Sequence, residues 1–261
     1  MTHSDGQKPP FFWLHIKKCG GGTIRRMLQP HYVLAERTAR PVNFIQSPPA
    51  AWNDILNNFR VPLGAYQFRR ALFARTYLYP QTWEAMPRIA FLRPPVERAV
   101  SAFHYLALPR GGERSFVQHL RETRTDIPTE DGPLFDAFLD LVQEARRSEN
   151  IYRPVNLHFT THTAPVTADV TDEAGTLLLS HLFRLEALEP VVAGMFESLG
   201  LPPPDNRPQR VNQADAATRY TPSPAQRRRI EQLYPGDCEL FDRARTRYEP
   251  PLPAPTEVRY A

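Results

Sequence analysis

Lysine is nearly absent from this chain. Of 32 basic residues only Lys8, Lys17 and Lys18 are lysine, and the other 29 are arginine. Where arginine is the habitual cation, two adjacent lysines mark a place that favours a compact ammonium over a planar fork. Cysteine is also scarce. Cys19 and Cys238, far apart in sequence, allow one disulfide at most and no disulfide framework, and no Cys or His spacing of the metal-binding kind occurs. No apolar run reaches the roughly 18 residues of a membrane span. The first ten residues lack an apolar core, so no secretory signal is expected and a reducing cytoplasm is the expected compartment. A dense basic stripe is missing too. Net charge of +4 and a pI near 9.2 suit an anionic ligand but fall short of a nucleic-acid binder. The one run of three cations, Arg227-Arg228-Arg229, reads as the solvated face of a helix. No internal repeat is present. With 261 residues, 41% of them hydrophobic, the chain can bury one large α/β core.

What is present is concentrated near the start. Residues 11–28 read Phe-Phe-Trp-Leu-His-Ile-Lys-Lys-Cys-Gly-Gly-Gly-Thr-Ile-Arg-Arg-Met-Leu. An apolar run of strand length meets two lysines, three glycines and a threonine, and then a short amphipathic segment that Pro30 stops. This is strand, loop, helix. Glycines let such a loop turn tightly and approach a ligand, while the first amides of the helix have no partner within it and point at whatever the loop holds. Lys18 adds a point charge, and Thr23 fits the helix start, where its hydroxyl either caps the backbone or bonds a phosphate oxygen. The competing reading is a glycine-rich turn with two solvated lysines. The loop is not a Walker A sequence, because that motif places its lysine after the glycines and here Lys18 precedes Gly20.

A second junction follows at residues 88–108. Residues 89–92 read as a buried parallel strand, Arg93 closes it, and Pro94-Pro95 open a helix where a missing N–H costs nothing. Val96, Ala99, Val100 and Phe103 recur at helical spacing, and Ser101 lies about two turns into that helix. On a parallel sheet both junctions fall at the carboxyl ends of the strands, the edge where open α/β sheets bind ligands. An arginine fork and a serine hydroxyl there suit a terminal phosphate. The plainer alternative pairs Arg93 with Glu97.

Elsewhere the pattern predicts helices over 50–59, 115–123, 133–147, 186–199 and 224–234, and one capped by Asp237. Strands are predicted over 61–68 and 177–185. Residues 69–87 give no clear pattern. His158 and His162, four apart in a Thr-rich stretch, are expected on a loop rather than on a helix face holding a metal. The expected organisation is a disordered stretch at 1–10, one domain over 11–248 and an extended proline-rich tail at 249–261.

With both junctions in view, the chain resembles the sulfotransferases that use 3′-phosphoadenosine 5′-phosphosulfate, especially their carbohydrate-type branch. His15-Ile-Lys-Lys-Cys-Gly-Gly-Gly-Thr-Ile24 is similar to that family's 5′-phosphosulfate loop, and Phe91-Leu-Arg-Pro-Pro-Val-Glu-Arg-Ala-Val-Ser-Ala-Phe103 to its 3′-phosphate motif. Weaker echoes follow in order at residues 156–159, 183–188, 210–213 and 233–241. The resemblance implies an α/β fold with an open, mainly parallel sheet flanked by helices, of the P-loop-like sulfotransferase kind. It implies that Lys18, Cys19, Gly20, Gly21, Gly22, Thr23 and Ile24 hold the 5′-phosphosulfate, and that Arg93, Ser101 and Arg210 hold the rest of the nucleotide. Three departures stand out: Lys17 replaces the usual proline, Cys19 the usual threonine, and Gly22 adds a third glycine. A fourth is that Gly64-Ala65 falls where relatives often have Gly-His, a histidine suspected of acting as base.

The implied reaction moves a sulfuryl group to a hydroxyl or amine of a carbohydrate or small-molecule acceptor, leaves adenosine 3′,5′-bisphosphate, and needs no metal. Lys18 would stabilise charge on the leaving phosphate oxygen. Histidine suits the role of base at neutral pH, with His104 first, His15 second and Glu186 third among the candidates. Two rival functions stay open: a phosphotransferase using ATP and magnesium, and a nucleotide-binding relative without transfer activity. Neither acceptor nor oligomeric state is written in the sequence.

Overall fold

The fold was obtained as a computed structural model that describes residues 10–33, 44–58, 60–107, 128–147, 154–203 and 219–250. Three parallel strands form its sheet in the order β1-β2-β3: β1 (Phe12–Leu14), β2 (Arg88–Leu92) and β3 (His181–Arg184). Phe12 registers with Arg88, and Ile89 with His181. Parallel neighbours need crossover connections, and here helices supply them. Between β1 and β2 lie α1 (Gly21–Leu28), α2 (Trp52–Ile55) and α3 (Arg70–Phe73). Between β2 and β3 lie α4 (Pro95–Ala107), α5 (Asp131–Arg147), α6 (Pro154–Thr163) and α7 (Val166–Val170). After β3 come α8 (Leu188–Ser198), α9 (Pro224–Leu233) and α10 (Pro235–Arg243).

Alternation along the strands divides the core. Phe12, Leu14, Ala90, Leu92 and Leu182 face one layer, formed with α2, α3 and α7. Trp13, Ile89, Phe91 and Phe183 face the other, where Ile24, Met27 and Leu28 of α1 meet Val191, Val192, Met195 and Phe196 of α8. Burial on both faces explains why the strands are continuously apolar. A third cluster joins helices to helices: Phe103 and Leu106 of α4 pack with Phe135 and Phe138 of α5, Phe159 of α6, and Ile230 of α9. Apolar side chains repeating every three or four residues on α5 place Phe135, Phe138, Leu139 and Val142 on that buried stripe.

The structure departs from the sequence pattern in several places. Residues 61–68 form no strand. Instead Gly64–Tyr66 is a 3₁₀ turn, Gly64 takes φ 57°, and the buried Gln67 side chain accepts the Leu63 N–H at 3.0 Å. Only His181–Arg184 of the predicted 177–185 strand joins the sheet, while Leu177 makes a single antiparallel bridge to Thr171. The predicted 50–59 helix is a 3₁₀ turn over Pro49–Ala51 running into α2.

Residues 69–87, silent in sequence, hold α3 and a π-helical turn over Ala74–Leu78. His158 and His162 lie on a helix, α6, rather than on a loop. Its threonines bond back to the helix, Thr160 Oγ1 to the Leu157 carbonyl at 3.3 Å and Thr163 Oγ1 to Phe159 at 2.9 Å, and Phe159 packs on Phe138. Asp237 does not cap its own helix, whose N-cap is Tyr234. Its carboxylate instead accepts the Val166 and Thr167 amides at the start of α7 at 2.8 and 3.0 Å. Arg227 and Arg228 are exposed on α9, and Arg229 pairs with Asp140 at 2.6 Å. Both cysteines are free thiols. The predicted 115–123 helix, the two terminal stretches beyond 10 and 250, and Arg210 lie outside the described residues.

Candidate active site

The loop between β1 and α1 turns by two left-handed residues, Lys18 at φ 66° and Gly20 at φ 76°. Gly20 is the N-cap residue, and its carbonyl accepts the Thr23 and Ile24 amides at 3.0 and 3.1 Å. The Gly21 and Gly22 amides therefore precede the first intrahelical bond and are left for other acceptors. Gly20 needs to be glycine for its backbone; a Cβ there would also displace the flexible end of Leu185, whose Cδ1 would lie 2.5 Å away. Gly21 needs to be glycine for a different reason: its Cβ would fall 1.7 Å from His15 Nε2. Gly22 has nothing within 4 Å of that position, and the residue is exposed.

Each flanking side chain has a distinct task. Lys17 Nζ donates to the Asn57 carbonyl at 2.5 Å, tying the loop to the end of α2. Lys18 Nζ sits over the Tyr105 ring, 4.0 Å from its centroid. Cys19 is buried, and burial pushes its thiol up while the Arg98 and Arg93 guanidiniums and the Arg93 N–H pull it back. That contact joins the first junction to the second. Thr23 is buried on the third residue of α1, and the Ile24 side chain belongs to the core, so Ile24 offers only backbone.

His15 stacks on Trp13 at 5.3 Å, and its N–H donates to Asn57 Oδ1 at 2.7 Å. Its carbonyl accepts from Arg70, whose guanidinium pairs with Asp169 in a buried fork at 3.0 and 2.7 Å. A fork of two parallel bonds between buried partners fixes α3 against α7.

At the second junction Arg93 follows β2 directly and is partly buried. It has no carboxylate partner among the described residues: Glu97, its neighbour one helical turn on, takes Arg219 at 3.4 Å instead. The two fully buried arginines among the described residues are both matched. Arg98 meets Asp237 at 2.8 Å, Arg70 meets Asp169, and the half-buried Arg25 meets Asp54. Ser101, six residues into α4 from Pro95, is partly buried and makes no side-chain hydrogen bond among the described residues. Because β1 and β2 are parallel neighbours, Arg93 and the glycine loop share one edge of the sheet.

Three histidines near that edge are held neutral. His15 is pushed well below its ordinary range by burial and then by Lys17, Arg70 and Arg25. His162 is pushed down by burial, then by His158, Lys17 and Lys18. His104 is lowered by burial, then by Arg219 and Lys18, against a pull upward from Asp131. The shared cause beyond burial is a positive field, which suits an anion. His104 Nε2 accepts the Tyr220 N–H at 2.9 Å, so in the neutral ring Nδ1 carries the proton, and Nδ1 has no hydrogen-bond partner. Glu186 is exposed in the turn after β3. The His158 and His162 rings lie 4.7 Å apart, but no group of three metal-type side chains forms among the described residues.

Sequence reasoning missed Tyr105, Asn57 and the Arg70–Asp169 fork. Tyr105 had a signal, since it lies four residues after Ser101 and so on the same helix face. Asn57 and Asp169 gave none, because their partners are 42 and 99 residues away.

A parallel sheet flanked by helices, with a glycine loop and an unmatched arginine at one edge, defines an α/β protein suited to an anionic ligand at its strand ends. A protein-family model described as the sulfotransferase family matches residues 6–243. The chain belongs to the sulfotransferase family. Comparisons with curated proteins and with solved structures gave no match. No helix among the described residues is long and apolar enough to cross a membrane.

Proposed function

We propose that this sulfotransferase takes its sulfuryl group from 3′-phosphoadenosine 5′-phosphosulfate and transfers it to a hydroxyl or amine of a carbohydrate or small-molecule acceptor, using residues 11–248 as one domain. The observation that carries the reading is Arg93, a partly buried guanidinium without a carboxylate beside a loop whose amides precede their helix. The two fully buried arginines among the described residues, Arg70 and Arg98, meet carboxylates; Arg93 meets none among those residues, and its place beside the loop provides for an anion from outside. Gly22 supports it, because no described protein atom lies within 4 Å of where its side chain would be, and a ligand approaching the backbone accounts for a glycine there.

Lys18 and the Gly21 and Gly22 amides would hold the 5′-phosphosulfate, with Thr23 beside them. Arg93 and Ser101 would hold the 3′-phosphate, and Arg210 is assigned to the nucleotide by resemblance. When bound, the phosphosulfate supplies a sulfuryl group whose bond to the phosphate oxygen breaks as the acceptor oxygen attacks sulfur, the electron pair leaving on the phosphate. Lys18 and the loop amides stabilise that charge by standing ready where it develops. The acceptor's proton goes to a histidine. His104 is our first assignment, and it requires Nε2 to leave the Tyr220 amide. His15 is the second, already neutral and against Gly21.

Labelled phosphosulfate offered with glycan and small hydroxyl acceptors tests the reaction, beside calorimetric titration of adenosine 3′,5′-bisphosphate and of ATP with magnesium. The expected result is label transfer and tight binding of the bisphosphate. Binding of ATP with magnesium and not of the bisphosphate would replace the reading with a phosphotransferase.

A further inference from the structure

We propose that Tyr105 is the positioning residue for Lys18, its ring fixing the ammonium at the cofactor loop. The proposal rests on the reading of Lys18 as the group that meets the leaving phosphate oxygen.

Lys18 is the only non-glycine residue among those described with a positive φ, 66°. A side chain that leaves the backbone from this uncommon conformation, on a stem of four rotatable bonds, needs something to select one position. The Tyr105 ring does so, with Nζ 4.0 Å from its centroid. This contact is different in kind from the carboxylate contacts of the arginines around it. Asp54, Asp169 and Asp237 cancel the charge of the cations they hold. An aromatic face holds an ammonium through its quadrupole and leaves the charge in place. A cation meant to meet developing negative charge needs this kind of support.

The ring is itself held. His162, buried on α6, stacks on Tyr105 with centroids 4.7 Å apart and planes at 27°. Its own ring is fixed by Nδ1–H donation to the His158 carbonyl at 2.8 Å, and His158 lies 5.8 Å from Tyr105. Tyr105 is 45% exposed, so its ring is placed by these contacts rather than by core packing. Ser101 and Tyr105 lie four apart on α4 and hence on one face. The helix that presents Ser101 to one end of the nucleotide therefore fixes Lys18 at the other.

The chain's scarcity of lysine makes the test direct. With lysine labelled with carbon-13 at the ε position, the protein shows three side-chain signals, and Lys18→Arg identifies the one from Lys18. The ring current of Tyr105 should shift that signal upfield in the parent. The shift should vanish in Tyr105→Leu and persist in Tyr105→Phe, which keeps the aromatic face. Turnover of labelled phosphosulfate should fall about tenfold in Tyr105→Leu, the range of one cation–π contact, and recover in Tyr105→Phe. Bisphosphate affinity should fall much less than turnover. An unshifted Lys18 signal in the parent overturns the proposal. So does a Tyr105→Leu protein that turns over as fast as the parent, or faster. Failure of the parent to bind bisphosphate would instead refute the assignment of the donor, and the lysine spectra would still decide whether Tyr105 holds Lys18.

Discussion

Gly21→Ala isolates the packing of the loop from its chemistry. Gly21 has an ordinary helical backbone, so alanine is allowed there and gains up to about 1 kcal/mol of helix propensity. The new methyl, however, falls 1.7, 2.1 and 2.4 Å from three atoms of the His15 ring. The ring cannot give way cheaply, because Trp13 stacks on it and the His15 backbone is held by Asn57 and Arg70. Overpacking of this kind costs about 1–3 kcal/mol. The net expectation is a loss of about 1–2 kcal/mol in urea unfolding, in spite of the better helix former. His15→Ala vacates the same space, so Gly21→Ala on that background should be neutral or stabilising, and the double-mutant cycle should show a coupling of about 1–3 kcal/mol. Strict additivity, or a Gly21→Ala protein as stable as the parent, would refute the account of why this glycine is there.

Gly22→Ala is the matched case on the same helix turn, with open space around its Cβ; it should raise stability by about 0.5–1 kcal/mol and weaken bisphosphate binding by calorimetry. Asp237→Ala leaves the buried Arg98 guanidinium without its carboxylate and the Val166 and Thr167 amides without their acceptor. Denaturant unfolding should show a loss of about 3–5 kcal/mol, and Arg98→Met added to it should recover part of the loss. His15 and His162 are held below their ordinary value of 6.5. Below pH 6.5 the unfolded chain therefore binds protons that the native protein refuses. Stability should be complete above that pH and fall as pH drops below it, and His162→Gln should flatten the slope.

Both strand-to-helix junctions were legible in sequence, because each combines an apolar run, a breaker and a helical stripe within 20 residues. Their signals are local in sequence, although Asn57 and Arg70 tie the β1 loop down from a distance. Where the sequence misled, contacts that no periodicity displays, some local and some distant, decided the outcome. Residues 61–68 carry a strand-like pattern, but Gln67 folds back on Leu63 and Gly64 turns the chain. The α6 segment is rich in threonine, a poor helix former, yet Phe159 is buried against α5 and the hydroxyls bond within the helix. Asp237 reads as a helix cap and is one, for a helix 70 residues earlier. Sequence reasoning also missed the Ser223 capping box with Gln226, which fixes the start of α9. At the site, local pattern placed Arg93 beside the loop. Only the structure showed that Glu97 is committed to Arg219 and that Lys18 rests on Tyr105.

The central claim is that the two junctions hold the two phosphate ends of one nucleotide. It is tested most directly by titrating adenosine 3′,5′-bisphosphate and adenosine 5′-monophosphate into the parent, Lys18→Ala and Arg93→Ala proteins. The parent should prefer the bisphosphate. Arg93→Ala should lose about 1.5–3 kcal/mol on the bisphosphate, the range for a hydrogen bond to a charged group, and little on the monophosphate. Lys18→Ala should weaken both alike. An Arg93→Ala protein that still discriminates between the two nucleotides as the parent does would contradict the account.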